Sequence, residues 1–137
     1  MILVTGATGT TGSEVVRQLA ASRVPVRAFV RNPDKAAPLR ALGVEIVVGD
    51  LDRPETLGPA LEDVERLFLL SPADPSQVEQ QGRAVEMAQR AGVQHIVKMS
   101  VLGADPDSPI ALGRWHAQTE QHIEKSGLHF THLRPHY

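Results

Sequence analysis

Cysteine is absent from all 137 residues of this chain. Disulfides, zinc–thiolate centres and thiol nucleophiles are excluded together, in keeping with a reducing, cytoplasmic setting. Aromatic residues are scarce, at 4%, and basic residues are not in excess: 14 Lys and Arg against 16 Asp and Glu give a net charge of −2. A nucleic-acid surface normally carries a basic stripe, so no nucleic-acid partner is expected. Long hydrophobic runs are also missing. Leu67–Leu70 is among the longest, far short of the roughly 20 residues of a membrane helix, and no membrane partner is expected. Met1 leads directly into apolar residues, which predicts no cleavable leader with a charged first segment. A single domain of this length buries about two-thirds of the surface of its unfolded chain without a covalent staple.

Against these absences stands a glycine-rich start, MILVTGATGTTGSEVVRQL. Ile2–Val4 is a short apolar β-branched run of the kind found in buried strands. Gly6, Gly9 and Gly12 follow at three-residue spacing, and Val15, Val16 and Leu19 then fall on one helical face. Glycine in such a turn allows a sharp bend, close backbone approach to a diphosphate and tight packing of helix on strand. The unpaired N–H groups and positive dipole end of the helix favour phosphate. A lone glycine triplet is weak evidence, but between a strand and an amphipathic helix it points to nucleotide binding.

Further apolar segments repeat with helical ones between them. Strands are expected at Val24–Val30, Val44–Val48, Arg66–Leu70, His95–Ser100 and Leu128–Leu133, rich in apolar residues as if covered on both faces. Helices are expected at Thr11–Ala21, Pro33–Leu42, Pro54–Glu62, Pro75–Arg90 and Ile110–Lys125, with proline near several starts and glycine near several ends. Such alternation predicts right-handed βαβ units in one α/β domain over residues 1–137. With the glycine turn in the first unit, the expected architecture is a doubly wound parallel sheet of Rossmann type, strand order 3-2-1-4-5-6.

In that fold the tip of the second strand reads the adenosine ribose. An acidic residue there would accept from the 2′-hydroxyl of NAD. Here the strand ends in Arg31, with Lys35 one turn on. A guanidinium suits a 2′-phosphate, so NADP(H) is preferred over NAD(H). Asp50 and Leu51, beyond the third strand, are candidates for the adenine, with Asp52 the better placed of the two aspartates to cap the next helix. Ser71 and Pro72, beyond the fourth, are expected near the ribose or nicotinamide, or in a structural loop.

The segments TGATGTTG, FVRNPDK, VVGDLDRPETL, IVKMSVLGAD and GRWHAQTEQHIEKSGLHFTHLRP resemble the NmrA-like branch of atypical short-chain dehydrogenases/reductases, nearest to its NADPH-dependent quinone oxidoreductase-like members. The resemblance extends over essentially the whole chain. It implies that Gly6, Thr8, Gly9, Thr10, Thr11 and Gly12 line the diphosphate, Arg31 and Lys35 the 2′-phosphate, and Asp50 and Leu51 the adenine. It implies either an NADPH-dependent reductase or a protein that senses NADP without turnover. Many short-chain dehydrogenases carry a Tyr-x-x-x-Lys pair, whose positions here hold Leu112 and His116, so carbonyl reduction by a tyrosine acid and epimerase chemistry are disfavoured. A quinone-like or other small conjugated acceptor remains, with Ser100 orienting it and His116 supplying a proton near neutrality. Relatives, by the same resemblance, continue beyond the Arg134-Pro135 motif to build the substrate pocket. The chain is therefore either part of a reductase or a short cofactor module.

Other features have plainer readings. His129 and His132 fall on opposite faces of one strand, and His116 and Glu120 lie one helical turn apart with no third ligand placed by the sequence, so no metal is expected. Trp115 suits stacking on a ring or packing at a contact. The mixed polarity of Pro75–Arg90 suits an ordinary amphipathic helix or a homodimer contact. Asp105 and Asp107 read as solvated loop residues.

Overall fold

The computed structural model describes residues 1–136. Six strands form one sheet: β1 (Ile2–Val4), β2 (Val26–Val30), β3 (Glu45–Val48), β4 (Arg66–Leu69), β5 (His95–Met99) and β6 (His129–Leu133). Their order is β3-β2-β1-β4-β5-β6 and every pairing is parallel, as the alternation predicts. Between them run α1 (Thr10–Ala21), α2 (Ala37–Arg40), α3 (Leu57–Ala60), α4 (Gln77–Ala91) and α5 (Ala111–Lys125).

Successive residues of a strand face opposite sides of a sheet, and the core divides accordingly. Leu3, Leu67, Leu69 and Ile96 pack with Leu57, Leu61, Val85 and Ile123 from the α3, α4 and α5 side. Val4, Ala28, Val30 and Phe68 pack with Val16 and Leu39 from the α1 and α2 side. Each fully buried Leu or Ile contributes on the order of 1.5–3 kcal/mol. Val85 and Ala88 of α4 belong to the first of these clusters, so the apolar face of that helix is turned inward.

Two expected helices are shorter than predicted. The Pro33–Leu42 segment divides into a 3₁₀ turn, Pro33–Lys35, and α2. Pro38 explains the break: it has no N–H, and its ring would clash with the carbonyl four residues earlier. Pro59 acts alike in Pro54–Glu62, which becomes the 3₁₀ turn Pro54–Thr56 followed by α3. The expectation of strands covered on both faces fails at both edge strands, at β3, where Val48 is 53% exposed, and at β6. There Phe130 and Leu133 are 42% and 39% exposed, because β6 is an edge strand with little packed over it.

Two polar groups stitch the interior. Arg27 of β2 is buried and donates through one guanidinium nitrogen to the carbonyls of Ala60 and Glu62, both at 2.7 Å, while Glu45 lies 3.1 Å from its Nε. It closes the end of α3. Thr5, fully buried, donates from Oγ1 to the Leu70 carbonyl at 2.8 Å and accepts from the Leu70 N–H at 2.9 Å. These bonds fix β1 and β4 where the chain leaves the sheet on either side of the central crevice.

Candidate cofactor site

Beyond Thr5 the chain turns at Gly6, whose φ of +63° lies in the region that side chains avoid. A Cβ here would also stand 3.0 Å from the Leu70 carbonyl oxygen. The Gly9 N–H returns to the Gly6 carbonyl at 3.1 Å. At Gly12 a Cβ would lie 1.9 Å from that same oxygen, so α1 rests on the turn with no room for any side chain. Gly9 forms the extended N-cap of α1; no side chain caps the helix and its first turn carries no acidic residue. Helical geometry leaves the N–H groups of Thr10, Thr11 and Gly12 without partners inside the helix. An uncapped helix start on a glycine cradle, at the point where the strand order reverses, fits a diphosphate.

A cleft of about 410 Å³ opens beside this turn. Gly6, Thr8, Arg31, Asp50, Leu51, Ser71 and Pro72 all line it, which brings together predicted residues from four separate strand ends. Gly9, Thr10, Thr11 and Gly12 stand at the adjoining helix start, outside the lining. Lys35 is exposed on its 3₁₀ turn and does not line the cleft. Among the described residues no carboxylate pairs with Arg31, which is exposed. Asp50 is held by its surroundings: its Oδ1 accepts from the Asp52 N–H at 2.9 Å, and its backbone N–H donates to Thr56 Oγ1 at 3.0 Å. Asp52 does not cap a helix, contrary to expectation. Its side chain accepts from Gln80 at 3.0 Å, while Arg53 occupies the capping position of the following turn.

The sequence reading missed Phe29, Gly49, Asp74 and Gln80, which also line the cleft. Gly49 carried a signal in Val-Gly-Asp: a Cβ there would lie 2.4 Å from the Phe29 ring. A second, more open hollow lies where β5 and β6 end, walled in part by Leu102, Ile110, Leu112 and Pro135. Leu102 and Ile110 are 60% and 67% exposed.

Ser100 and His116, predicted to face the ligand, are buried among polar groups and line neither hollow. Lys98 is wholly buried, and its Nζ donates to Gln81 Oε1 at 2.7 Å and lies 2.9 Å from His116 Nδ1. Burial pulls the Lys98 ammonium down to about 8, against the opposing pull of the Glu120 charge. Burial, and then the Lys98 charge, push His116 down to about 4. So placed, His116 favours the neutral imidazole near pH 7. Ser100 Oγ donates to Glu120, and Arg134 grips the same carboxylate through Nε at 3.1 Å and a second, closer contact. Burial raises the Glu120 pKa, but the bonds from Arg134 and Ser100 prevail and hold it below the ordinary carboxylate value.

Glu120, Glu124 and His132 bring their ligating atoms within 4.8 Å of one another, a cluster the sequence reading did not assemble. Arg134 already supplies the positive charge there and occupies Glu120, so the group is an ion-pair cluster in this structure.

An all-parallel sheet with a glycine-cradled helix start at its switch point defines a dinucleotide-binding Rossmann domain. The chain belongs to the NAD(P)H-binding family, whose model matches residues 6–137. It is 44% identical over 135 residues to the NAD(P)H azoreductase of Xenophilus azovorans, covering 98% of this chain and 47% of that protein. Among solved structures it is similar to the NADPH complex of the quinone oxidoreductase QOR2 from Escherichia coli, with 37% identity and a TM-score of 0.88 over 98% of this chain and 48% of that one. The NADP(H) complex of triphenylmethane reductase from Citrobacter sp. shares 36% identity, with a TM-score of 0.87 over 98% and 49% of the two chains. The chain thus spans about half the length of the relatives it matches. Among the described residues, no helix is long and apolar enough to cross a membrane.

Proposed function

We propose that this domain holds NADP(H), in preference to NAD(H), for a reductase of quinone-like or other small conjugated acceptors. One observation carries the cofactor reading: Arg31, exposed and without a carboxylate partner among the described residues, shares a cleft with the glycine turn. The turn and the free N–H groups of α1 would hold the diphosphate, Arg31 the 2′-phosphate, and Leu51 with Asp50 the adenine. Lys35 adds positive charge nearby without reaching the cleft. A carboxylate in place of Arg31 would repel the 2′-phosphate; a guanidinium offers paired, charge-assisted donors. When bound, the reduced dinucleotide supplies a hydride.

The acceptor reading draws support from relatives described as an NAD(P)H azoreductase, an NADPH-dependent quinone oxidoreductase and a triphenylmethane reductase, and from the apolar wall of Leu102 and Ile110 beyond the ends of β5 and β6. Ser100 and His116 act from behind the cleft as positioning residues: one orients Glu120, the other receives a hydrogen bond from Lys98.

Calorimetric titration tests the cofactor reading. The wild-type chain binds NADPH more tightly than NADH, and Arg31→Ala removes most of that preference, by about ten- to a hundredfold for a charge-assisted phosphate contact. An unchanged affinity ratio would refute the assignment. Consumption of NADPH with a panel of small quinones tests the reaction; tight binding without consumption would favour a sensing role.

A further inference from the structure

A directional line of hydrogen bonds runs from the buried network to the cleft wall. Lys98 Nζ donates to Gln81 Oε1 at 2.7 Å, and Gln81 Nε2 donates to Ser71 Oγ at 2.7 Å. Lysine is the end that sets the direction, because an ammonium donates and cannot accept. Its remaining contacts, His116 Nδ1 at 2.9 Å and the Met99 carbonyl at 3.5 Å, are both acceptors. Reversing the Gln81 amide would set its NH₂ against the ammonium, so the orientation is fixed by chemistry as well as by coordinates. Gln81 is fully buried on α4 and has no freedom to turn toward solvent. Ser71 Oγ therefore receives a hydrogen bond from behind. Ser71 itself lines the cleft beside Pro72 and Gly6.

We infer that Ser71 is a ligand-facing hydrogen-bond donor, its hydroxyl proton aimed into the cleft by Lys98 acting through Gln81. The group it recognises is an oxygen acceptor on the bound dinucleotide, a ribose or diphosphate oxygen or the carboxamide oxygen. Without Lys98 the Gln81 amide is free to flip, and Ser71 is as able to accept as to donate. Lys98 and Gln81 are thus positioning residues, and Ser71 is the residue that touches the ligand. The inference rests on the cleft being the NADP(H) site.

The test is a double-mutant cycle on NADPH affinity, measured by titration with the folded state checked by circular dichroism. Failure of the wild-type chain to bind NADPH would sink the cofactor reading itself. If the wild type binds, Ser71→Ala and Lys98→Met should each weaken affinity by about three- to tenfold, the size of one lost hydrogen bond. The double variant should be no weaker than the poorer single variant. Effects that multiply, or a Lys98→Met chain that binds like wild type, would overturn the inference.

A pH series from 7 to 9.5 separates positioning from mere packing. Lys98 loses its proton near 8, and the neutral amine, able to accept as well as donate, no longer holds the Gln81 amide one way round, so wild-type affinity should decline through that interval while Ser71→Ala stays flat. The other charged or titratable groups set around Lys98 do not change charge there: His116 near 4, Glu120 and His132 both lowered, Arg134 raised. Equal pH dependence in wild type and Ser71→Ala would refute the inference, even if Lys98→Met failed to fold.

Discussion

His116 should make this domain acid-sensitive in a window set by its burial. The imidazole is 7% exposed and stands 2.9 Å from the Lys98 ammonium, and its pKa falls from 6.5 to about 4 on folding. Between those values the unfolded chain binds a proton that the folded chain refuses. Stability must then fall as pH falls from 6.5 toward 4, with nothing lost above the window. At about 1.4 kcal/mol per pKa unit the full cost is about 3 kcal/mol, of which about 2 kcal/mol is reached by pH 5. Other carboxylates titrate over the same range, so the comparison requires a variant. Urea unfolding of wild type and His116→Asn at pH 7 and pH 5 isolates the imidazole. The wild type should lose about 2 kcal/mol more than the variant over that step. Equal losses would show that the imidazole is protonated freely in the folded state, and the neutral-acceptor assignment would fall.

Two further outcomes follow from packing. Gly12→Ala places a Cβ 1.9 Å from the Gly6 oxygen; α1 must shift, with a cost of about 1–3 kcal/mol in thermal or urea unfolding, and NADPH binding should fall with it. Arg27→Met leaves the carbonyls of Ala60 and Glu62 without their buried donor. Unfolding should show a loss of about 2–3 kcal/mol, whereas a neutral result would mean that water satisfies both oxygens.

The sheet was legible because its signals are local. Strand length, the glycine turn and the apolar face of α1 each lie within a dozen residues, and parallel crossovers leave few topologies. The position of Arg31 at the cleft was legible for the same reason, since a strand tip is a place that sequence alone can locate. The segments around Pro38 and Pro59 misled because proline at a helix start and proline inside a helix look alike until the first turn is placed.

The Lys98 network was not legible. Gln77, within 3.5 Å of the His116 ring, and Gln81 sit one turn apart on α4, His116 and Glu120 one turn apart on α5, and Lys98 lies in β5 with Ser100 just beyond its end. Each pair carries a weak signal, and only the crossing of three elements joins them. A lysine two residues after Ile96, and so on the same face of an expected strand, was the strongest cue available. The environment of His116 was hidden for the same reason: burial and a neighbouring ammonium are tertiary facts. Residue type alone supplied the unperturbed pKa.

The most direct measurement is a crystal structure of the chain grown with NADPH. The account predicts diphosphate density against the N–H groups of Thr10, Thr11 and Gly12, with the 2′-phosphate beside Arg31. Density placing the dinucleotide elsewhere, or a 2′-phosphate turned away from Arg31 into solvent, would contradict it.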